Sequence, residues 1–147
     1  MRDKKVSEVG LVNFIEISDQ RGKLVSLESN KNIPFNIKRV YYLFETSPGA
    51  ERGFHAHIDL QQMAICVSGS CFIDVEYAGG KKSFLLDNPN QGLYMAGVVW
   101  REIRAFSDNC VLMVAADALY SEDDYIRDYN SFEKHLNTMY IRLPSDN

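Results

Sequence analysis

The feature that most constrains the fold is a long succession of short apolar runs, each closed by a turn signal. Between residues 11 and 116 these runs are rich in β-branched and aromatic residues. Examples are LVNFIEI (11–17), KRVYYLF (38–44) and the pair QMAICV and CFIDVEY, which a Ser68-Gly69-Ser70 turn joins into a hairpin. Many short strands at near-regular spacing are typical of an antiparallel barrel or sandwich. We therefore predict an all-β domain.

Only the C-terminal part of the chain changes its hydrophobic period. Ser121 and Asp124 have the spacing of a capping box, although Asp replaces the usual Glu or Gln. Beyond them the apolar and aromatic residues fall at helical spacing: Tyr125, Ile126, Tyr129, Phe132 and Leu136. We predict one or two short helices that close the barrel. With 147 residues and no internal repeat or linker, the chain is predicted to be one domain over residues 1–147.

Charge and composition argue against several classes of partner. The net charge is −4 and no block of Lys or Arg is longer than two, which disfavours nucleic-acid binding. No apolar run approaches the roughly 20 residues that span a bilayer, and the N-terminus lacks the apolar core of a signal peptide. The odd number of cysteines (Cys66, Cys71 and Cys110) without a CxxC pair indicates reduced, buried thiols. We expect a cytoplasmic protein without a membrane segment.

Two histidines, His55 and His57, stand two residues apart in RGFHAH. On a strand they point to the same face, because side chains alternate with period two. Such a pair can hold a metal ion, move a proton, or simply fill the barrel. An imidazole with its ordinary pKa near 6.5 gives or takes a proton at neutral pH, so the pair suits base and shuttle roles.

The spacing around these histidines resembles the first motif of the cupin superfamily: Gly49, His55, His57, Gln62 and Gly69. Metal-binding cupins usually carry Glu where Gln62 stands, and a second motif supplies a His where Trp100 stands. A carboxamide is a poor ligand for a divalent ion and an indole is none, although Gln61 or Gln62 could help a weakly held ion. We predict that the site contains no metal and that the histidines transfer protons.

The segments RVYYLF, RGFHAH, GLYMAGVVWREI and DYIRDYNSF together resemble the dTDP-sugar 3,4-ketoisomerases, cupin enzymes of nucleotide-sugar pathways. The resemblance covers nearly the whole chain. It implies an antiparallel cupin jelly-roll barrel with a short C-terminal helical segment, no cofactor, no required metal, and a homodimer that pairs through N-terminal strands.

The resemblance also implies the reaction. The enzyme would move the ketone of dTDP-4-keto-6-deoxy-D-glucose from C4 to C3 through an enediol, and we favour the galacto product. That product would feed a 3-aminotransferase making a 3-amino-3,6-dideoxyhexose for a surface polysaccharide, such as a lipopolysaccharide O-antigen or an S-layer glycan.

The same resemblance implies roles for individual residues. His55 and His57 would carry the proton transfers, with His55 as the carbon base. Tyr41 would donate to or polarise a sugar oxygen; because Tyr41 and Tyr42 point to opposite faces, only one of them can reach the pocket. Arg52 would bind the diphosphate, and the turn at Arg21 and Gly22 would border the sugar pocket.

Trp100 and Arg101 mark a departure from the family, whose members often carry Trp-His-Glu where this chain has Trp100-Arg101-Glu102. Both residues are candidates for substrate contact, although the side chains of neighbouring residues on a strand point to opposite faces of the sheet. If Trp100 faces the pocket, Arg101 lies outside it. If Arg101 faces inward, it adds a cation beside the substrate.

Three other readings remain open from the sequence. A nucleotide-sugar 3,5-epimerase shares enolisation at C3, but its base is usually a His partnered by an Asp, with a Tyr acid across the ring. A non-catalytic cupin that binds a sugar nucleotide would leave the substrate unchanged. A metal dioxygenase would hold stoichiometric iron.

Overall fold

The structure is a computed structural model that describes residues 7–141. Its strands are β1 (Glu8–Asn13), β2 (Ile17–Asp19), β3 (Gly22–Leu24), β4 (Arg39–Leu43), β5 (Arg52–His57), β6 (Gln61–Ser68), β7 (Cys71–Tyr77), β8 (Gly80–Leu86), β9 (Gln91–Ala96), β10 (Trp100–Arg104), β11 (Val111–Ala116) and β12 (Tyr125–Ile126). A 3-10 turn (Glu122–Asp124) precedes β12, and one helix, α1 (Tyr129–Ile141), follows it. The prediction of one domain over residues 1–147 extends beyond the described residues and stays a prediction.

Two antiparallel five-stranded sheets form the barrel. The first has the order β1-β9-β6-β11-β4 and the second β12-β5-β10-β7-β8. Their inner faces enclose an apolar core that both sheets supply, including Leu93 and Leu112 from the first and Ile73 and Leu86 from the second. The all-β prediction, the antiparallel jelly-roll barrel and the short C-terminal helix are confirmed.

Strand β6 lies at the centre of the first sheet and is buried on both faces. Its inward residues are Gln62, Ala64 and Cys66, which face the barrel interior. On its outer face, Met63 and Ile65 pack in a second apolar cluster with Phe14, Ile33 and Phe35. The coil between β3 and β4 supplies Ile33 and Phe35, so this coil covers the outer face of the first sheet.

The turn from β7 to β8 lies where the sequence predicts it, and these two strands pair as a hairpin. The predicted hairpin of β6 and β7 is wrong: the Ser68-Gly69-Ser70 turn lies between them, but it carries the chain from the first sheet to the second, where β7 pairs with β8 and β10. The single strand predicted over 11–17 is wrong, because the strand stops at Asn13 and β2 begins only at Ile17. Between them the Phe14 ring is buried in the outer cluster. Strands β2 and β3 pair only with each other, as a separate two-stranded hairpin.

The C-terminal segment packs against the second sheet. Ala56, Trp100 and Ile126 form an apolar cluster with Phe132 of α1. Ser121 makes no capping hydrogen bond, so the predicted capping box is wrong; instead Asp128 caps α1 by accepting from the Ser131 backbone N–H at 3.0 Å. Within residues 7–141 no helix is both long and apolar enough to cross a membrane.

Candidate active site

A cavity of about 430 Å³ opens between the two sheets. Its wall includes four of the side chains that the sequence analysis selects, Tyr41, Arg52, His55 and Arg101. Its apolar floor is formed by Ala64, Ile73, Leu112 and Val114. Because these residues come from both sheets, folding of the barrel is what brings them together.

The backbone of β5 sets the position of His55. Gly53 has a φ of +92°, and a Cβ at this position would lie 2.8 Å from the Arg101 carbonyl oxygen, so only glycine fits. The register between β5 and β10 also shifts here, between Arg101 and Glu102. The Gly53 carbonyl accepts a hydrogen bond from Nδ1 of His55 at 3.0 Å. Nδ1 therefore carries the proton, and Nε2 keeps the lone pair that a general base needs.

The charge state of His55 suits a base at neutral pH. Burial and the nearby guanidinium of Arg101 lower the pKa of His55 to about 4. The imidazole is thus neutral at pH 7 and ready to accept a proton, although it is a weaker base than an exposed histidine.

His57 lies behind His55 and does not line the cavity. Its side chain is buried, and the two imidazole rings stand perpendicular with centroids 4.9 Å apart. Nδ1 of His57 donates to Oδ2 of Asp124 at 2.8 Å, while Nε2 is buried with no hydrogen-bond partner among the described residues. Burial lowers the pKa of His57, so this imidazole is also neutral.

Trp100 and Arg101 lie on opposite faces of β10. Arg101 is buried and lines the cavity, whereas Trp100 packs edge-on against Tyr129, 5.4 Å between ring centroids, under α1. The prediction that Trp100 contacts substrate therefore needs correction: the alternation of the strand turns the indole away from this cavity. Burial lowers the pKa of Arg101 to about 10, which leaves it charged at pH 7.

Tyr41 is the member of the tyrosine pair that reaches the cavity, while Tyr42 is exposed on the outer face of β4. Burial raises the pKa of Tyr41, so its hydroxyl stays protonated and can act as a donor. The amide of Gln62 donates to the Tyr41 oxygen at 3.3 Å.

Arginines surround the mouth of the cavity. Arg52 lies there as predicted, and Arg39 and Arg127 join it. Arg127 is paired with Glu122 at 2.6 Å. The guanidinium of Arg39 lies over the Tyr41 ring, 5.6 Å from its centroid, and no carboxylate of the described residues forms an ion pair with it.

Arg21 and Gly22 do not border the cavity in this chain. They lie at the turn between β2 and β3, where the Arg21 side chain is 90% exposed and forms an ion pair with Asp19 at 2.6 Å. Their predicted contact with the sugar is therefore not made within one copy of the chain.

The donor set at this site does not fit a divalent cation. The oxygen of Gln62, which stands where metal-binding cupins carry Glu, accepts a hydrogen bond from Arg101. A cation would thus meet a buried positive charge and only two imidazoles. Among the described residues, a cluster of three candidate ligands occurs only at Cys66, Cys71 and Cys110, and none of these thiols lines the cavity. The metal-free site stays a prediction, and the contact between Arg101 and Gln62 supports it.

The sequence analysis missed several residues of the site. Asp124 was assigned to a capping box, yet its two oxygens accept from His57 and from the Asp59 backbone N–H at 2.9 Å. Arg39 and Tyr125 also reach the cavity and were not selected. Arg39 begins the strand that carries Tyr41, so inward alternation by two could have identified it.

Comparison with known proteins gives a consistent result. The family described as FdtA, WxcM-like, C-terminal, matches residues 7–137. A TDP-4-oxo-6-deoxy-α-D-glucose 3,4-oxoisomerase from Aneurinibacillus thermoaerophilus is 48% identical over 86% of this chain and 91% of its own length.

Two solved structures extend the similarity to the fold. One is a His-to-Asn variant of a 3,4-ketoisomerase from Thermoanaerobacterium thermosaccharolyticum in complex with TDP-4-keto-6-deoxyglucose, with 37% identity, a TM-score of 0.87, and coverage of 91% of this chain and 97% of that one. The other is a TDP-quinovose 3,4-ketoisomerase from Campylobacter jejuni, with 42% identity, a TM-score of 0.82, and coverage of 86% and 97%. The chain belongs to the WxcM-like family of TDP-sugar 3,4-ketoisomerases and is an isomerase.

Proposed function

We propose that this enzyme converts dTDP-4-keto-6-deoxy-D-glucose to a dTDP-3-keto-6-deoxyhexose by proton transfers in the cavity between the sheets. The observation that carries the proposal is a neutral His55, with a free Nε2 lone pair, in the same cavity as the protonated Tyr41 and the buried Arg101. The relatives named for this substrate support it.

The proposed mechanism needs one base, one acid and stabilisation of an enediolate. His55 removes the C3 proton, the C–H electron pair forms the C3–C4 double bond, and the former ketone oxygen takes the negative charge. Tyr41 and Arg101 donate hydrogen bonds to that oxygen. The proton of the C3 hydroxyl then passes to the C4 oxygen as the C3 carbonyl forms, and the protonated His55 delivers its proton, which exchanges with solvent, to C4. One proton is removed from and one returned to carbon, so the sum is an isomerisation.

The other side chains of the site support this step. His57, held by Asp124 and stacked edge-on behind His55, fixes the orientation of the base. Arg52 and Arg39 at the mouth bind the diphosphate, for which a guanidinium has matching geometry.

A proton NMR time course in deuterated buffer tests the proposal. Purified, EDTA-treated protein is incubated with dTDP-4-keto-6-deoxyglucose, and we expect a 3-keto product that carries deuterium at C4. An unchanged spectrum would overturn the proposal in favour of a binding protein. Activity that disappears on EDTA treatment and returns with a divalent ion would contradict the metal-free site.

A 3,5-epimerase is the second candidate, because His57 and Asp124 form the kind of His–Asp pair that such enzymes use. Against it, this pair does not reach the cavity wall, where His55 stands instead. The same NMR experiment separates the two reactions: an epimerase would exchange deuterium into C3 and C5 without moving the ketone.

We also propose a homodimer formed through the N-terminal strands. Ile15, Ile17 and Leu24, on and beside the β2–β3 hairpin, are 85%, 62% and 55% exposed, and β1 is an edge strand of the first sheet. A second copy would cover this apolar surface. The predicted contact of Arg21 and Gly22 with substrate also requires such a copy. Sedimentation equilibrium tests the dimer: Ile17→Lys should shift it to monomer, and a monomeric wild type would refute it.

The remaining details of the proposal come from the resemblance alone. The product is proposed to have the galacto configuration and to feed a 3-aminotransferase of a surface-polysaccharide pathway. Coupling constants of the NMR product distinguish galacto from gluco. A cytoplasmic location is proposed because the three described cysteines are free and buried, as expected in a reducing compartment.

A further inference from the structure

Gln62 is the one polar side chain of the cupin motif for which the proposed mechanism has no role. It stands where metal-binding cupins carry Glu, and it is 1% exposed on the inward face of β6. A buried side-chain amide is costly unless its donor and its acceptor are both satisfied, so its partners reveal its use.

Both ends of the Gln62 amide contact residues of the proposed mechanism. Its oxygen accepts a hydrogen bond from Nη1 of Arg101, and its nitrogen donates to the Tyr41 hydroxyl oxygen at 3.3 Å. Arg101 can only donate, so the amide cannot be turned around without losing this bond. The amide orientation is therefore fixed, and it fixes the direction of the Tyr41 hydroxyl in turn.

The consequence is two hydrogen-bond donors without acceptors. Because the Tyr41 oxygen accepts from Gln62, its own hydrogen is left for another group, and no described residue accepts it. Nε of Arg101 is likewise buried without a partner among the described residues, while Nη2 donates to the Val99 carbonyl at 3.2 Å. Both side chains line the cavity.

The neutrality of the amide also matters. In the part of the chain that the structure describes, the hydrogen bonds of Arg101 go to the Gln62 oxygen and the Val99 carbonyl, and no carboxylate forms an ion pair with it. Asp124 acts on its charge only electrostatically. A Glu at position 62 would form one and compensate the charge inside the barrel. The amide holds the guanidinium in place and leaves its charge available to an anion.

We propose that Gln62 is a positioning residue that holds the Tyr41 hydroxyl and the Arg101 guanidinium as paired donors for the enediolate oxygen without forming an ion pair with Arg101. This inference rests on the proposed function and deepens it. Gln62 acts through its two partners and does not touch the substrate.

Two substitutions separate the two parts of the inference. Gln62→Glu keeps the shape but pairs with Arg101, and we expect kcat to fall about 10²-fold, as when a preorganised donor is removed. Gln62→Met keeps the volume but removes both hydrogen bonds, and we expect a smaller loss in kcat. In both variants the KM should change much less than kcat, because the diphosphate contacts at the mouth are intact.

Control variants show whether the effect is specific. Gln61→Met changes the neighbouring glutamine, which points to the other face and bonds Tyr94 and Asp117. Gln91→Glu places the same charge change at the start of β9, beside Asn13. Both should keep kcat near wild type. In an Arg101→Gln background, Gln62→Glu should lower kcat much less than in the wild type, because the charge that it would pair with is absent and only the donation to Tyr41 is lost.

A measurement that does not depend on turnover tests the positioning role of Gln62 even if the proposed reaction is wrong. With ¹³Cζ-labelled tyrosine, and Tyr41→Phe to assign the signal, NMR titration reports the Tyr41 pKa. Donation from Gln62 stabilises the phenolate, so Gln62→Met and Gln62→Glu should both raise this pKa further above its ordinary value. If wild type is inactive but the titration shifts, the reaction is wrong and the positioning holds. An unshifted Tyr41 pKa, or a Gln62→Glu enzyme with wild-type kcat, would overturn the inference.

Discussion

The two ends of the barrel interior differ in character, although the same strands build both. On β6 the inward residues run from Gln62 through Ala64 to Cys66. At one end, here called the polar end, Arg101 and Tyr41 lie around Gln62, and buried Nε of Arg101 has no hydrogen-bond partner among residues 7–141. At the other end, here called the thiol end, Cys71 and Cys110 lie around Cys66, with Sγ–Sγ distances of 3.4 Å from Cys66 to Cys71 and 3.8 Å from Cys66 to Cys110.

The difference indicates that the thiol end serves the stability of the fold and the polar end serves substrate binding and catalysis. A buried free cysteine behaves as a small apolar side chain, and the three thiols belong to the main apolar core cluster. At the polar end, each unpaired buried donor costs about 1–3 kcal/mol that an apolar residue would not cost. A fold retains such groups where a ligand supplies the missing partners, so the polar end is the place to look for substrate.

The largest effect should come from His55→Asn, which removes the base at the polar end. We expect turnover to fall by about 10³-fold or more, while dTDP binding measured by calorimetry persists, since the arginines at the mouth are unchanged. His135→Asn, on the exposed face of α1, is the matched control and should leave turnover unaltered. Near wild-type activity of His55→Asn would remove this residue from the mechanism.

A smaller effect should follow from Asp124→Asn. The two carboxylate oxygens accept from His57 and from the Asp59 N–H, whereas an amide offers only one acceptor. Either His57 changes its tautomer or a buried donor loses its partner. We expect kcat to fall about 10-fold, because His57 acts through His55 rather than on the substrate.

The neighbouring Asp123→Asn is the control for this substitution, because Asp123 is exposed beside the same turn. ¹⁵N NMR of the imidazoles reports the tautomer directly. An Asp124→Asn enzyme that changes tautomer without losing activity would show that the orientation of His57 is irrelevant to the base.

The polar end should also make the stability of the fold depend on pH. His55 has a pKa of about 4 in the folded chain, against about 6.5 when unfolded. Between these values the unfolded chain binds a proton that the folded chain does not, so stability falls as the pH drops from about 6.5 to about 4. Urea titrations across this range should show the loss, and His55→Asn should reduce it. An identical slope in that variant would assign the acid sensitivity elsewhere.

Sequence reasoning recovers the fold here because strand periodicity and turn residues are local signals. The strands on either side of Gly69 and the hairpin of β7 and β8 lie where turn residues and alternation predict them. The predicted pairing of β6 with β7 failed, because the choice of partner strand is set by the whole barrel, which places the two strands in different sheets. The break after Asn13 was missed, because the run 11–17 alternates smoothly and the burial of Phe14 depends on a coil far along the chain.

The residues of the candidate site could be predicted only in part, because some of them are identified by local motifs and others only by contacts between distant segments. His55 and Arg52 stand out by motif, and strand alternation separates Arg101 from Trp100 once the face of one is known. The contact between His57 and Asp124 joins residues 67 positions apart, and no local pattern signals it. The use of Gln62 likewise depends on which side chains two other strands bring to its amide.

The smallest effect on turnover should come from the thiol end. Cys71→Ala removes a buried atom from the core and should cost about 1–2 kcal/mol of unfolding free energy, with kcat unchanged within about twofold, since no reacting group touches it. In the native protein, the hydrogen bond with Cys71 and burial raise the pKa of Cys66, and burial raises that of Cys110 to about 12. An aromatic disulfide reagent should therefore modify these thiols only after unfolding. Rapid native modification, or a Cys71→Ala enzyme whose kcat falls as far as that of Asp124→Asn, would mean that the two ends are coupled. The polar end and the thiol end would then have to be treated as one functional site, in which packing around the thiols affects catalysis.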